Sequence, residues 1–258
     1  MQNWSTVYDN DPIWKKLRTG EIEDVIFDSG GFQMITGVKT YRVVNREHYA
    51  LWLKLTLRDY PMIRYFNLDI IGDQEQTMDN LRFLESKGLH PIPVWQATRA
   101  DIYDVYLDYY CSKYKYVAIG GIAGATSNSI FRLAQFLLQR YPDNDFHLLG
   151  VGLSVSRVCK IYRPYSADAS SWLAPARWGS ELIFDGQNIK LIDMSPEDKL
   201  AIRKNDDIRT DWSRKTIQRI KEFEALMNST KPTGPIQIDM FASDELFPGI
   251  KYEDGRSI

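Results

Sequence analysis

Three aspartates, Asp28, Asp69 and Asp168, each stand at or near the end of a short apolar, β-rich run of the chain. Between them, other such runs end in Gln96, in Gly120-Gly121 and in Leu149-Gly150. Gathered at one place, these residues have a definite chemistry. Two carboxylates across a glycosidic carbon divide the work of nucleophile and acid/base. Gln96, the backbone amides of Gly120 and Gly121 and a carboxylate match the mixed donor and acceptor edge of a purine-like base. Paired glycines let backbone approach such a ligand because no Cβ intervenes, and Gly30-Gly31 follow Asp28-Ser29 directly. Phe32 offers a flat face, Gln33 a further donor and acceptor, and Leu149 an apolar surface for the other face of a base.

Each tip also has a plain structural reading. Asp28-Ser29-Gly30-Gly31 makes a turn closed by an Asx-type hydrogen bond. Asp69 and Asp168 make strand-end residues that cap the next helix. For any one tip alone the plain reading is the better one. For successive strand ends carrying this set of groups it is poor.

To bring the tips together, the chain must repeat strand, tip and helix. Patterning predicts strands over 25–28, 64–71, 91–96, 116–119, 146–151 and 165–168, with a hairpin arm over 38–44. Helices are expected over 48–60, 73–87, 101–114, 127–141 and 154–159, with a short one near 14–17. The first long helix presents Leu51, Trp52 and Leu55 on its apolar side and stops at Pro61. The next carries Met78, Leu81 and Leu84 at helical spacing and ends at a C-cap glycine, Gly88. Ser127 is the expected N-cap of the fourth. Strands alternating with helices imply a parallel sheet. About six such units between residues 25 and 172 favour a (β/α)8 TIM-like barrel, whose active residues sit at the C-terminal ends of its strands. Beyond them, an Asp185-Gly186 turn predicts a hairpin, and Ser195-Pro196-Glu197 opens a helix. A longer helix over 211–228 carries Arg214, Lys215, Arg219 and Lys221. The expected organisation is a barrel domain, 1–194, and a helical extension with an irregular tail, 195–258, packed on it.

With 32 basic and 34 acidic residues the net charge is −2, so a polyanionic partner needs a local basic patch. Arg157, Lys160, Arg163 and Arg177, beside the Asp168 segment, are the first candidates for phosphate. The charge run of the late helix ranks behind them, because such runs are more often solvated faces. Cys111 and Cys159 with His48, His90 and His147 form no metal-spaced cluster, and neither metal nor cofactor is expected. Sparse cysteine suits a reducing cytoplasm. The polar, acidic first residues are unlike a secretory signal, and no apolar run is long enough to span a bilayer.

The tips occur as a series: Asp28-Ser29-Gly30-Gly31-Phe32-Gln33, Val94-Trp95-Gln96, Gly120-Gly121-Ile122-Ala123, His147-Leu148-Leu149-Gly150-Val151-Gly152 and Ala167-Asp168-Ala169-Ser170. Across residues 24–180 this series resembles the successive signatures of the tRNA-guanine transglycosylase superfamily. The resemblance implies a TIM barrel that exchanges a guanine in a nucleic acid for a 7-deazaguanine. By position Asp168 resembles the aspartate that attacks C1′, and Asp28 the second catalytic aspartate, the general acid/base. Asp69, Gln96, Gly120 and Gly121 resemble the base-reading residues, and Phe32 and Leu149 the pair that stacks on the base. The tRNA enzymes carry a zinc subdomain of three cysteines and a histidine after the barrel, and this sequence has none. The usual Pro-Thr-Arg spacing after the nucleophile is also missing. As a short, zinc-free relative the chain is more similar to the phage and bacterial branch that places preQ0-like bases in DNA. The expectation is therefore a DNA-acting base-exchange enzyme without a cofactor. The alternatives are a zinc-free enzyme acting on tRNA and a non-catalytic nucleic-acid-binding relative.

Overall fold

The computed structural model describes residues 12–22, 24–29, 45–97, 105–152, 155–162, 164–168, 179–186 and 189–230. Gly30, Gly31, Phe32, Gln33, Arg163 and Arg177 lie outside the described residues, as do the arm expected over 38–44 and the tail from 231. The architecture is α/β. Eight helices are found among the described residues, with two parallel sheets and one antiparallel hairpin. None of these helices is long and apolar enough to cross a membrane. The chain divides into two compact units, Met1–Val94 and Trp95–Ile258.

In the first unit, α1 (Pro12–Arg18) precedes β1 (Ile26–Phe27), and α2 (Arg46–Asp59) leads to β2 (Arg64–Tyr65), which pairs with β1 in parallel. Phe66 extends that pattern by a parallel bridge to Ile92. Helix α3 (Gln74–Ser86) lies between them in sequence. Its local signals all act as expected: Asp73 accepts from the Gln76 amide as N-cap, Met78, Leu81 and Leu84 are buried, and Gly88 takes a left-handed φ of 74° just past the end. Tyr49, Ala50, Leu53, Tyr65, Leu68, Leu84 and Leu89 form one core cluster. A second joins Trp14 and Leu17 to Tyr60 and Ile63, with Trp14 stacked on Phe27 at 5.5 Å.

The apolar side expected for α2 is corrected. Leu51 and Leu55 are exposed, and the helix buries Tyr49, Ala50, Leu53 and Thr56 instead. Two stripes of apolar residues compete on this helix. The stripe carrying Tyr49 wins because its phenol also donates to the Phe66 carbonyl at 2.8 Å while its ring is buried.

In the second unit, β3 (Val94–Gln96, opening at the boundary), β4 (Tyr116–Gly120), β5 (Asp145–Leu148) and β6 (Ser166–Ala167) form a four-stranded sheet in sequence order. The pairs β4–β5 and β5–β6 are parallel, with Ala118 opposite His147 and His147 opposite Ser166. Helices α4 (Val105–Lys113), α5 (Ser127–Arg140) and α6 (Val155–Ile161) alternate with these strands. Four of the five β4 residues are buried, as suits a strand covered on both faces. The N-cap of α5 is Thr126, not Ser127: the Thr126 hydroxyl accepts from the Ser129 amide. Next comes the hairpin β7 (Ser180–Phe184) and β8 (Ile189–Asp193), antiparallel as the Asp-Gly signal predicts. Helices α7 (Pro196–Lys204) and α8 (Asp206–Ser229) follow. Ser195 caps α7, and α8 starts five residues earlier than expected, capped by Asn205. Phe223 and Met227 of α8 pack on Leu182 and Ile189 of the hairpin. Arg219 is bound on the same side, to Glu181 at 2.6 Å and to the Leu182 carbonyl.

Candidate functional site

In the first unit, Asp69 sits in an irregular segment just past β2. The side chains of α3 fix that segment. Asn80 donates to the Leu68 carbonyl at 2.9 Å, Asn67 to the Thr77 carbonyl at 2.8 Å, and the Thr77 hydroxyl accepts from the Ile70 amide at 2.8 Å. Asp69 is only 7% exposed. Its carboxylate accepts a hydrogen bond of 2.7 Å from the Ser29 hydroxyl, so the residues at the ends of β1 and β2 meet. Neighbouring Asp28 is exposed. Both aspartates act on Tyr49. Burial first, then the charges of Asp28 and Asp69, push its phenol well above the usual tyrosine range. Asp28, Ser29, Asp69 and Tyr49 therefore form one acidic cluster.

In the second unit, Gln96, Gly120, Leu149 and Asp168 lie at the ends of β3 to β6. Gln96 is buried, and the Gly120 carbonyl accepts from the Ala97 amide at 3.0 Å. Gly121 adopts a left-handed φ of 74°. The Leu149 amide donates to the Ile119 carbonyl at 3.0 Å.

Asp168 is fixed on both sides. Its amide donates to the Leu148 carbonyl at 3.1 Å, and its carbonyl accepts from the Val151 amide at 3.0 Å. Its side chain returns to the same turn, where Oδ1 accepts from the Gly150 amide at 2.7 Å. That turn needs a glycine. Gly150 has φ +69°, and a Cβ there would stand 3.2 Å from the Ala123 Cβ. The His147 Nε2 lies 3.5 Å from Asp168 Oδ1, longer than a formed hydrogen bond. The Asp168 side chain is 54% exposed.

A cavity of about 370 Å³ opens at Asp168, lined also by Ala167 and by Ile217, Ile220, Lys221 and Glu224 of α8. In the sequence the charges of that helix rank behind the group near Asp168, but the packing of α8 brings Lys221 to the cavity. In the favoured group, Arg157 donates to the Asn128 side-chain oxygen, Oδ1, at 3.1 Å and stacks 4.5 Å over the Phe131 ring. Lys160 is partly buried on α6. His147 was also missed, as one of three scattered histidines. The available signal was period two: His147 pairs with Ser166 on the next strand, and Leu149 and Asp168 follow each of them two residues on, just past the strand ends.

Among the described residues no group of three His, Cys, Asp or Glu side chains is poised for a metal ion. A scan against models of protein families, a search of curated proteins and a search of solved structures each matched nothing.

Proposed function

We propose that the chain is a transglycosylase that replaces guanine in DNA with a 7-deazaguanine base through a covalent aspartyl intermediate. The observation that carries this reading is Asp168. It is a half-exposed carboxylate at a strand end, on a cavity of about 370 Å³, with one oxygen held by a backbone amide. A carboxylate so held is already oriented for attack on an oxocarbenium-like carbon. The ordered series of strand-end motifs supplies the rest, and with it comes the (β/α)8 barrel. The parallel pairs β1–β2, β4–β5 and β5–β6 are compatible with such a fold and support the reading to that extent.

In the proposed reaction a lone pair of Asp168 Oδ2 forms the bond to C1′. The C1′–N9 pair leaves with guanine, which takes one proton from the general acid, the role the resemblance gives to Asp28. The incoming 7-deazaguanine returns its N9 proton to that group and bonds to C1′. The Oδ2–C1′ pair then reverts to Asp168. Asp69, buried and held by Ser29, is suited to reading a heterocycle edge, the role that the resemblance also gives to Gln96, Gly120 and Gly121. Reaching C1′ from a cavity of this kind requires the nucleotide to be flipped from its stack. Among the described residues Lys221 is the cation on the cavity wall, and it suits a flanking phosphate.

The test is base exchange with labelled guanine, run on DNA and on tRNA side by side. Incorporation into DNA is the expected result. Incorporation into tRNA alone would transfer the reading to the RNA substrate. Binding of either without exchange would leave a nucleic-acid-binding protein.

A further inference from the structure

His147, Ser166 and Tyr116 belong to three adjacent strands, and the register sets them side by side. His147 lies opposite Ala118 on β4 and Ser166 on β6. Ala118 has no bulk to fill the space beside the imidazole, and Tyr116, two residues earlier on the same face, reaches across. Its hydroxyl lies 2.6 Å from Ser166 Oγ, and Ser166 Oγ lies 2.6 Å from His147 Nδ1. The far nitrogen of the ring, Nε2, faces Asp168 Oδ1 at 3.5 Å.

Ser166 has one proton to donate, so a neutral ring permits two directions. In one, the phenol donates to Ser166, Ser166 donates to Nδ1, and the ring proton sits on Nε2. In the other, Nδ1–H donates to Ser166, Ser166 donates to the phenol oxygen, and the Nε2 lone pair faces the carboxylate. A lone pair against a carboxylate oxygen is repulsive, and an N–H there is attractive. The negative charge of Asp168 therefore selects the first direction.

We propose that Tyr116, Ser166 and His147 are positioning residues that fix the imidazole as its Nε2–H tautomer and turn that proton toward Asp168 Oδ1. With the Gly150 amide already on Oδ1, two donors then face the same oxygen. Among the described residues none hydrogen-bonds Oδ2, which is the atom left to attack. The same donors stabilise the carboxylate when it departs in the second half of the exchange. This assignment deepens the transglycosylase reading and rests on it for its catalytic consequence, but not for the tautomer.

The experiment has two arms. Spectra of 15N-histidine-labelled protein, assigned with His147→Gln, should show a neutral ring protonated on Nε2. Ser166→Ala should disturb that tautomer. An Nδ1–H tautomer in the unaltered protein would overturn the proposal. In the second arm, His147→Leu should lower kcat for exchange about 10- to 100-fold with KM for the nucleic acid unchanged. His147→Gln, whose amide N–H can occupy the Nε2 position, should recover most of the loss, and Ser166→Ala and Tyr116→Phe should fall between. Wild-type kcat in a folded His147→Leu protein, or equal loss in His147→Gln, would overturn it. If the unaltered protein exchanges no base into any nucleic acid, the transglycosylase reading fails, and the tautomer arm still decides whether the relay exists.

Discussion

Asp69 and Asp168 are both strand-end aspartates, and the chain treats them in opposite ways. Asp69 is 7% exposed and bound by the Ser29 hydroxyl, in a segment pinned by Asn67, Thr77 and Asn80. The Asp168 side chain is 54% exposed and, among the described residues, is hydrogen-bonded at Oδ1 alone, by the Gly150 amide, with His147 nearby. The first arrangement fixes both position and environment, as a group that reads one heterocycle edge requires, because mismatched ligands then leave a buried carboxylate unpaired. The second fixes direction but leaves the carboxylate reachable, as a nucleophile toward a large polymer requires. Under the proposed reading, burial and partners thus suit equal residue types to different work.

The largest effect that would break this contrast is at the exposed member. Asp168→Asn should lower exchange by about 10⁴-fold or more, as for removal of other nucleophiles, because an amide cannot form the glycosyl ester. Single-turnover exchange measures it, and near-normal turnover would remove Asp168 from the chemistry. At the buried member, Asp69→Ala should weaken binding of the free base by about 1–3 kcal/mol, the range for an orphaned buried polar group. Binding of nucleic acid should change far less, and calorimetry with each ligand separates the two. Equal loss of both would make Asp69 structural.

Tyr49 sharpens the acidic side of the comparison. Burial and the charges of Asp28 and Asp69 raise its folded pKa. Its ordinary value in an unfolded chain is about 10. The folded state therefore holds the phenolic proton more tightly than the unfolded state. That contribution to stability is complete below about pH 10 and is lost as pH rises through the raised folded value. Tyr49→Phe should flatten this alkaline loss and, by removing the hydrogen bond to the Phe66 carbonyl, cost about 1 kcal/mol at neutral pH. Urea midpoints across the two ranges report both. The smallest effect is expected on the cavity wall. Lys221→Glu should reduce the log–log salt dependence of DNA binding by roughly one unit, the value for one lost phosphate contact. An unchanged slope would take Lys221 out of the interface.

Much of this was legible in the sequence where the signals are local. Asp73, the Met78–Leu81–Leu84 spacing and Gly88 define α3 within its own residues, and Asp185-Gly186 places the β7–β8 turn. Helix α2 failed because its sequence offers two apolar stripes. The choice between them depends on the Phe66 carbonyl, which is distant in sequence. Thr126 and Ser127 are adjacent hydroxyls, and backbone geometry, not residue type, decides which one caps α5. Asp28, Asp69 and Asp168 could be named because they end their runs. The difference in their exposure could not, since it depends on Ser29, Gly150 and helix α8. His147 was hidden for the same reason: its contacts with Ser166 and Asp168 exist only once the register of β5 and β6 is set.

The most direct test of the account is to quench the reaction with DNA in acid and locate any covalent nucleotide by peptide mass spectrometry. The added mass is expected on the peptide holding Asp168, and none in Asp168→Asn. Exchange without any adduct, or an adduct on Asp28 or Asp69, would contradict it.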